Sequence, residues 1–194
     1  MNKEERPTKR IKRYILTDDA LLAEQPAASY DKALHKLHKY VEEQNKKWTT
    51  EREVILNIIY RVDRLIAPPT LHQLVCNHHC SVSLASVYNT LLLLLELGLI
   101  RKVIFPSDST TYYERALDNP AHPFAICPTC KVVWSLPPMQ FAEEMNSLLP
   151  SRFYPSEHTM IIEGVCQKCH QNKKKMQEKA AKQQSKKIKK QHKK

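Results

Sequence analysis

The chain of 194 residues is expected to be an α+β protein with a winged helix-turn-helix ahead of a second, smaller unit. Three observations point there. Apolar residues recur at helical spacing through the first half up to Gly98. After Gly98 the pattern turns to β-branched and aromatic residues. Two Cys-x-x-Cys turns then sit among short strand-like runs. The length suits one large domain or two small ones with tails.

Taken in order, residues 1–30 carry charges throughout, with no apolar run ahead of a cleavage site, and are expected to be a basic, flexible segment outside any secretory signal. Leu34, Leu37 and Val41 mark a helix over residues 31–45. Val54, Ile55, Ile58, Ile59 and Val62 mark a second. Thr49 or Thr50 caps it, and Glu51 and Glu53 sit on its first turn, where the helix dipole favours negative charge. Pro68 and Pro69 are expected to end it. Thr70 then caps a short helix through Leu71, Leu74 and Val75, and Ser83 caps another over residues 84–97, with Gly98 in the terminating position. RKVIF (101–105) and TTYYE (110–114) flank a turn and form a hairpin.

This order over residues 31–115 is that of a winged helix, whose last helix enters the major groove while the hairpin lies against the backbone. On that helix Val87, Leu91 and Leu94 form an inward stripe. Ser86, Tyr88 and Asn89 are left free to meet DNA, Tyr88 at a thymine methyl or a phosphate and Asn89 at an adenine edge. The bland alternative has Tyr88 merely covering the core edge. Leu92, Leu93 and Leu95 make the later turns apolar nearly all round, which suggests burial beneath the helix at 31–45.

In residues 116–170, strand-like runs at 124–126, 132–135 and 159–163 and a helical stretch over 139–149 surround Cys127-Pro-Thr-Cys130 and Cys166-Gln-Lys-Cys169. Each turn presents two sulfurs, and together they supply the four thiolates of a tetrahedral structural zinc. A CxxC thiol oxidoreductase is the rival reading, but Cys130 leads into a strand where a redox dithiol usually opens a helix. Cys76 and Cys80, with His72, His78 and His79 nearby, read as buried thiols beneath the recognition helix, or as a second metal or redox site.

Charge narrows the function further. Of the formal +11, residues 171–194 contribute +10 and residues 1–13 contribute +4, so the 157 residues between them sum to −3. The Lys-rich tail, 171–194, has too few apolar groups to offset chain entropy and is expected to be disordered, serving as a solubilising segment or a phosphate-binding arm. Two glycines cannot build a dinucleotide fingerprint or a phosphate-cradling loop. No apolar run reaches the ~18 residues of a membrane span, so no membrane association is expected.

WTTEREVIL (48–56), SLASVYNTLLLLLELGLI (83–100), TYYE (111–114), His122 five residues before CPTC and His158 eight residues before CQKC together resemble the ferric uptake regulator (Fur) family of bacterial metal-responsive transcription factors, over about residues 46–170. The resemblance implies a cytoplasmic homodimer with an N-terminal winged helix for DNA and a C-terminal α/β domain that pairs two chains and carries the four-cysteine zinc. Its Thr-x-x-Arg pattern adds Arg52 to the DNA-binding candidates. Two-fold symmetry then predicts double-stranded DNA with an inverted-repeat operator. The resemblance also implies regulatory divalent metal binding: Glu114 and His122 match ligands of the family's site at the domain junction, and His158 matches a ligand of its second regulatory site. Asn89 stands where the family usually has Arg, and Pro68, Phe124 and Ser135 stand where it has metal ligands. The chain is accordingly expected to be a dimeric, zinc-containing repressor with no catalytic residues. Alternatives are a zinc-stabilised DNA-binding protein that has lost metal sensing, or the thiol oxidoreductase.

Overall fold

The structure is a computed structural model and describes residues 12–16, 22–78, 81–138, 148–154 and 158–191. The expected helix at 139–149 falls almost wholly outside them. Along the chain run β1 (Lys12–Ile15), α1 (Tyr30–Glu43), α2 (Thr50–Arg61), α3 (Pro68–His78), α4 (Leu84–Glu96), β2 (Ile100–Phe105), β3 (Asp108–Arg115), β4 (Phe124–Ile126), β5 (Val132–Ser135), β6 (Ile161–Glu163) and α5 (Gln167–Gln191). For α5, side-chain placement is described only up to Lys179.

The helices α1 to α4 enclose one core, to which α2 gives Ile55, Leu56, Ile58, Ile59 and Tyr60. The Tyr60 hydroxyl enters that core because it donates to the Leu99 carbonyl at 2.8 Å. Pro68 and Pro69 do not end α2, which stops at Arg61 where Val62 turns extended. They open α3 instead, a first-turn position where a missing N–H costs no intrahelical bond. Helix α4 is bounded as its chemistry dictates. The Ser83 hydroxyl accepts from the Ser86 N–H, and Gly98, at φ +61°, closes the far end with Gly98 N–H on Leu95 O and Leu99 N–H on Leu94 O, both at 2.9 Å. Of the leucines expected to be covered by α1, Leu93 is buried but Leu92 is 63% exposed. Beside the shared core, the Tyr40 hydroxyl of α1 donates to Glu96 of α4 at 3.0 Å.

The antiparallel ribbon β2–β3 serves two cores at once. Ile100 and Tyr113 face the helices, whereas Val103, Phe105 and Tyr112 face a second core completed by Leu65, Phe124, Ile126 and Val133. That second core lies against a four-stranded sheet in the order β1-β5-β4-β6, in which only the β4–β6 pair is parallel.

Two expectations are corrected here. The described part of residues 1–30, 12–16 and 22–30, is not a free leader: β1 forms an edge of the C-terminal sheet, Tyr14 and Leu16 pack on the second core, and Ala23 and Ala27 N–H bond to Arg61 and Tyr60 carbonyls. Among the described residues, contacts therefore cross the boundary drawn at residue 30. Residues 171–191 are helical rather than disordered, continuing α5 from the second Cys-x-x-Cys turn. Lys, Gln, Glu and Ala are strong helix formers, and neither Gly nor Pro follows Gly164, so helicity needs no buried face once a first turn is anchored.

Phe105 lies edge-on to Phe124, with ring centroids 6.1 Å apart, and is the ribbon's largest fully buried contribution to the second core. Phe105→Ala is expected to cost about 3–5 kcal/mol in chemical denaturation; a loss below ~1 kcal/mol would mean that ribbon and sheet are not packed in solution.

Candidate zinc centre and nucleic-acid interface

The parallel pairing of β4 and β6 brings the two Cys-x-x-Cys turns together. Ile126 sits opposite Glu163, and the Gly164 N–H extends the ladder to the Ile126 carbonyl at 3.0 Å, so Cys127 and Cys166 leave adjacent strand ends. Lys131, at φ 57°, takes the left-handed conformation that folds the first turn back, with its N–H on the Cys127 carbonyl at 2.8 Å. The second turn is the start of α5. All four sulfurs, of Cys127, Cys130, Cys166 and Cys169, lie within 4.8 Å of one another, with Cys130 Sγ 3.7 Å from Cys166 Sγ. Four sulfurs at ~2.3 Å from a tetrahedral zinc stand about 3.8 Å apart, so the cluster fits that ion.

The surroundings of the thiols differ from one sulfur to the next. Burial opposes charge on Cys127, but backbone N–H groups of Cys166, Cys130 and Thr129 outweigh it and bring its pKa down to about 6. Cys130 and Cys169 are pushed up, by burial first and then by the adjoining sulfurs. One thiolate forms readily and its neighbours resist, which a bound dication reverses. Cys166 and Cys169 do open a helix as a redox dithiol would, yet their sulfurs face the other pair, and the cysteines are not paired as disulfides.

The candidates on the helix-turn-helix differ in exposure. Tyr88 is 43% exposed and Asn89 is exposed, while Ser86 is half-buried with its hydroxyl 3.0 Å from that of Ser83. Arg52 donates to the Lys47 carbonyl at 2.8 Å and lines a groove with Lys46, Thr49, Ser86 and Asn89. Leu84, Tyr88 and Leu92, exposed on successive turns, add an apolar stripe. Cys76 is exposed rather than buried beneath α4; its sulfur lies 3.6 Å from His72 Nε2, itself 2.7 Å from the Val82 carbonyl. His79 and Cys80 lie outside the described residues.

Of the remaining candidates, Glu114 and His122 come together and His158 stands apart. Glu114, 7% exposed, forms an ion pair with Arg101, Nε to Oε1 at 2.7 Å, and His122 Nε2 stands 3.8 Å from its other oxygen. Burial raises the Glu114 pKa, while His122 and Arg101 pull it back. His158 lies in an exposed stretch before β6. Among the described residues, only the four cysteines form a group of three or more ligand side chains. Pro68 opens α3, Phe124 is buried in the second core and Ser135 ends β5. Arg101 escaped sequence reasoning, although alternation along the hairpin places it directly opposite Glu114.

A winged helix joined to a small sheet with a four-sulfur metal centre defines a class of DNA-binding regulator. Comparison with known proteins specifies it: the profile of the ferric uptake regulator family matches residues 43–162, more than half the chain, and the chain belongs to that family, whose members are metal-responsive, DNA-binding transcriptional regulators. The chain is similar to the ferric uptake regulation proteins of Campylobacter jejuni, 29% identical over 152 residues covering 76% of this chain and 94% of that protein, and of Campylobacter upsaliensis, 30% identical over 146 residues covering 73% and 91%. Its fold resembles the Helicobacter pylori regulator (TM-score 0.63, 19% identity, 75% of this chain and 97% of that one) and the manganese-containing Pseudomonas aeruginosa regulator (TM-score 0.56, 17% identity, 67% and 97%).

Cys127→Ser is expected to remove the zinc and, because structural zinc supplies folding free energy, to unfold the β4–β6 region. Metal analysis of the purified variant, with circular dichroism, checks this; full zinc content with an unchanged melting curve would refute the four-cysteine assignment.

Proposed function

We propose that this protein is a dimeric, zinc-stabilised transcriptional repressor that sits on an inverted-repeat operator in the cytoplasm and excludes polymerase, catalysing no reaction. The observation that carries it is the exposed face of α4 in a chain of this family: Tyr88 and Asn89 stand out near the amino end of a capped helix, with Arg52 and Lys46 beside them. Asn89 suits an adenine edge, and the stripe of Leu84, Tyr88 and Leu92 suits thymine methyls, so the half-site is rich in A·T pairs. Two-fold symmetry places half-sites about one helical turn apart, or closer where dimers overlap. Among the described residues no helix is long and apolar enough to cross a membrane.

Charge distribution supports a role for the ends. The stretch between them sums to −3, whereas DNA demands cations. Lys168, Lys175 and Lys179 are exposed on α5, and the same helical spacing continues along the sequence at Lys182, Lys186 and Lys189. A helix of 25 residues spans about 37 Å, enough to lay such a row along several phosphates.

Selection of duplexes from a random pool by the zinc-loaded protein tests the reading. An inverted repeat should emerge, and Asn89→Ala should weaken binding by about 1–3 kcal/mol while relaxing one base position. A pool with no enriched sequence would overturn it. Removing residues 171–194 should weaken all duplexes alike and flatten the log–log salt dependence by about 0.9 per lost phosphate contact; an unchanged slope would leave the tail a solubilising role only.

A further inference from the structure

The junction between the wing and the C-terminal sheet holds a charge arrangement that the family assignment does not account for. Arg101 and Glu114 are a direct cross-strand pair, on the same ribbon face as Val103, Phe105 and Tyr112, the face that packs on the sheet. Their side chains are only 15% and 9% exposed. The same guanidinium donates to the carbonyls of Asn119 and Pro120 in the connection leaving the ribbon. His122 closes the circuit, its Nδ1 3.0 Å from the Pro120 carbonyl and its Nε2 facing Glu114. One cation thus ties β2, β3 and the 119–122 connection together where the second domain begins.

The surroundings are hostile to a further cation. Glu114 and His122 border a small cavity of about 30 Å³, room for about one water, that Lys12, Asp63, Arg64 and Arg115 also line. Asp63 is already held by Lys12 at 2.5 Å and Arg115 at 3.0 Å. Lys12 and Arg115 on Asp63 and Arg101 on Glu114 leave each carboxylate with a cationic partner already in place. A divalent ion seeking Glu114 would have to expel a guanidinium from a buried ion pair and enter a site whose two carboxylates already have cationic partners. Glu114 and His122 therefore do not fit the regulatory metal that the resemblance implies.

We propose that Arg101 is a resident cation that takes the place of a divalent effector, so that closure of the wing on the C-terminal sheet is independent of added metal. The DNA readout of this proposal rests on the function proposed above; the metal-uptake readout does not.

The test uses the full-length, zinc-loaded protein and its Arg101→Ala and Arg101→Lys variants, with Mn²⁺ as the probe. Uptake is followed by electron paramagnetic resonance and operator affinity by fluorescence anisotropy. Wild-type protein is expected to bind no Mn²⁺ at the junction and to change operator affinity by less than about tenfold when Mn²⁺ is added. Arg101→Ala should lose about tenfold or more in affinity, take up Mn²⁺ in a manner abolished by a second change, Glu114→Gln, and recover affinity with it. Arg101→Lys keeps the charge and should refuse the ion. Stoichiometric Mn²⁺ uptake at Glu114 by wild-type protein overturns the proposal, even if the alanine variant does not fold. A loss of affinity that Mn²⁺ does not restore also overturns it, because Arg101 would then only pack. If wild-type protein binds no DNA while Arg101→Ala gains Mn²⁺ uptake, the functional reading fails and the resident-cation proposal stands.

Discussion

The structure depends on a two-stranded ribbon whose faces belong to different cores. Alternation along β2 and β3 sends Ile100 and Tyr113 toward the helices and Val103, Phe105 and Tyr112 toward the sheet, so the ribbon is at once the wing of one unit and the floor of the next. Apolar burial on both faces resists a hinge there. The Ile66–Tyr113 bridge adds a further constraint, because it anchors the segment between α2 and α3 to the same ribbon. The angle at which α4 is presented is thus coupled to the sheet that the resemblance assigns to dimerisation.

The four-sulfur centre performs the corresponding task at the far end. Strands of three or four residues such as β4, β5 and β6 are too short to hold a sheet by pairing alone. A metal that joins the turn after β4 to the first turn of α5 closes the sheet around a fixed point. It also gives α5 a nucleated start, which a polar helix lacking a buried face otherwise has to form at its own cost. Zinc, sheet and basic helix are therefore one construction, with the lysines carried outward from the metal.

Where local chemistry dictates structure, it was legible in the sequence. Ser83 and Gly98 bound α4 because a hydroxyl and a left-handed glycine have few other uses at those offsets, and the strands at 124–126 and 132–135 follow from their β-branched and aromatic runs beside the cysteine turn. What escaped depends on distant partners. Lys12–Ile15 looks like part of a charged leader until β5 supplies a partner strand. Pro68 and Pro69 carry the same local signal whether a helix ends or begins at them. The Lys-rich tail lacks an apolar face, which argued against order, but its helix propensity suffices after a fixed first turn. Arg101 was obscured for another reason: a lone arginine in a strand usually faces solvent, and its burial follows only from the cross-strand register that sets it against Glu114.

If the wing is held to the sheet by packing and a resident guanidinium, the arrangement of the two units should be the same with and without a second divalent ion. Small-angle X-ray scattering of the zinc-loaded protein, recorded in Mn²⁺-free buffer and again with Mn²⁺ in excess, measures that arrangement directly. The account predicts superimposable profiles and an unchanged radius of gyration. A contraction or rotation of the DNA-binding units on adding Mn²⁺ would contradict it and would mean that the junction still answers to metal.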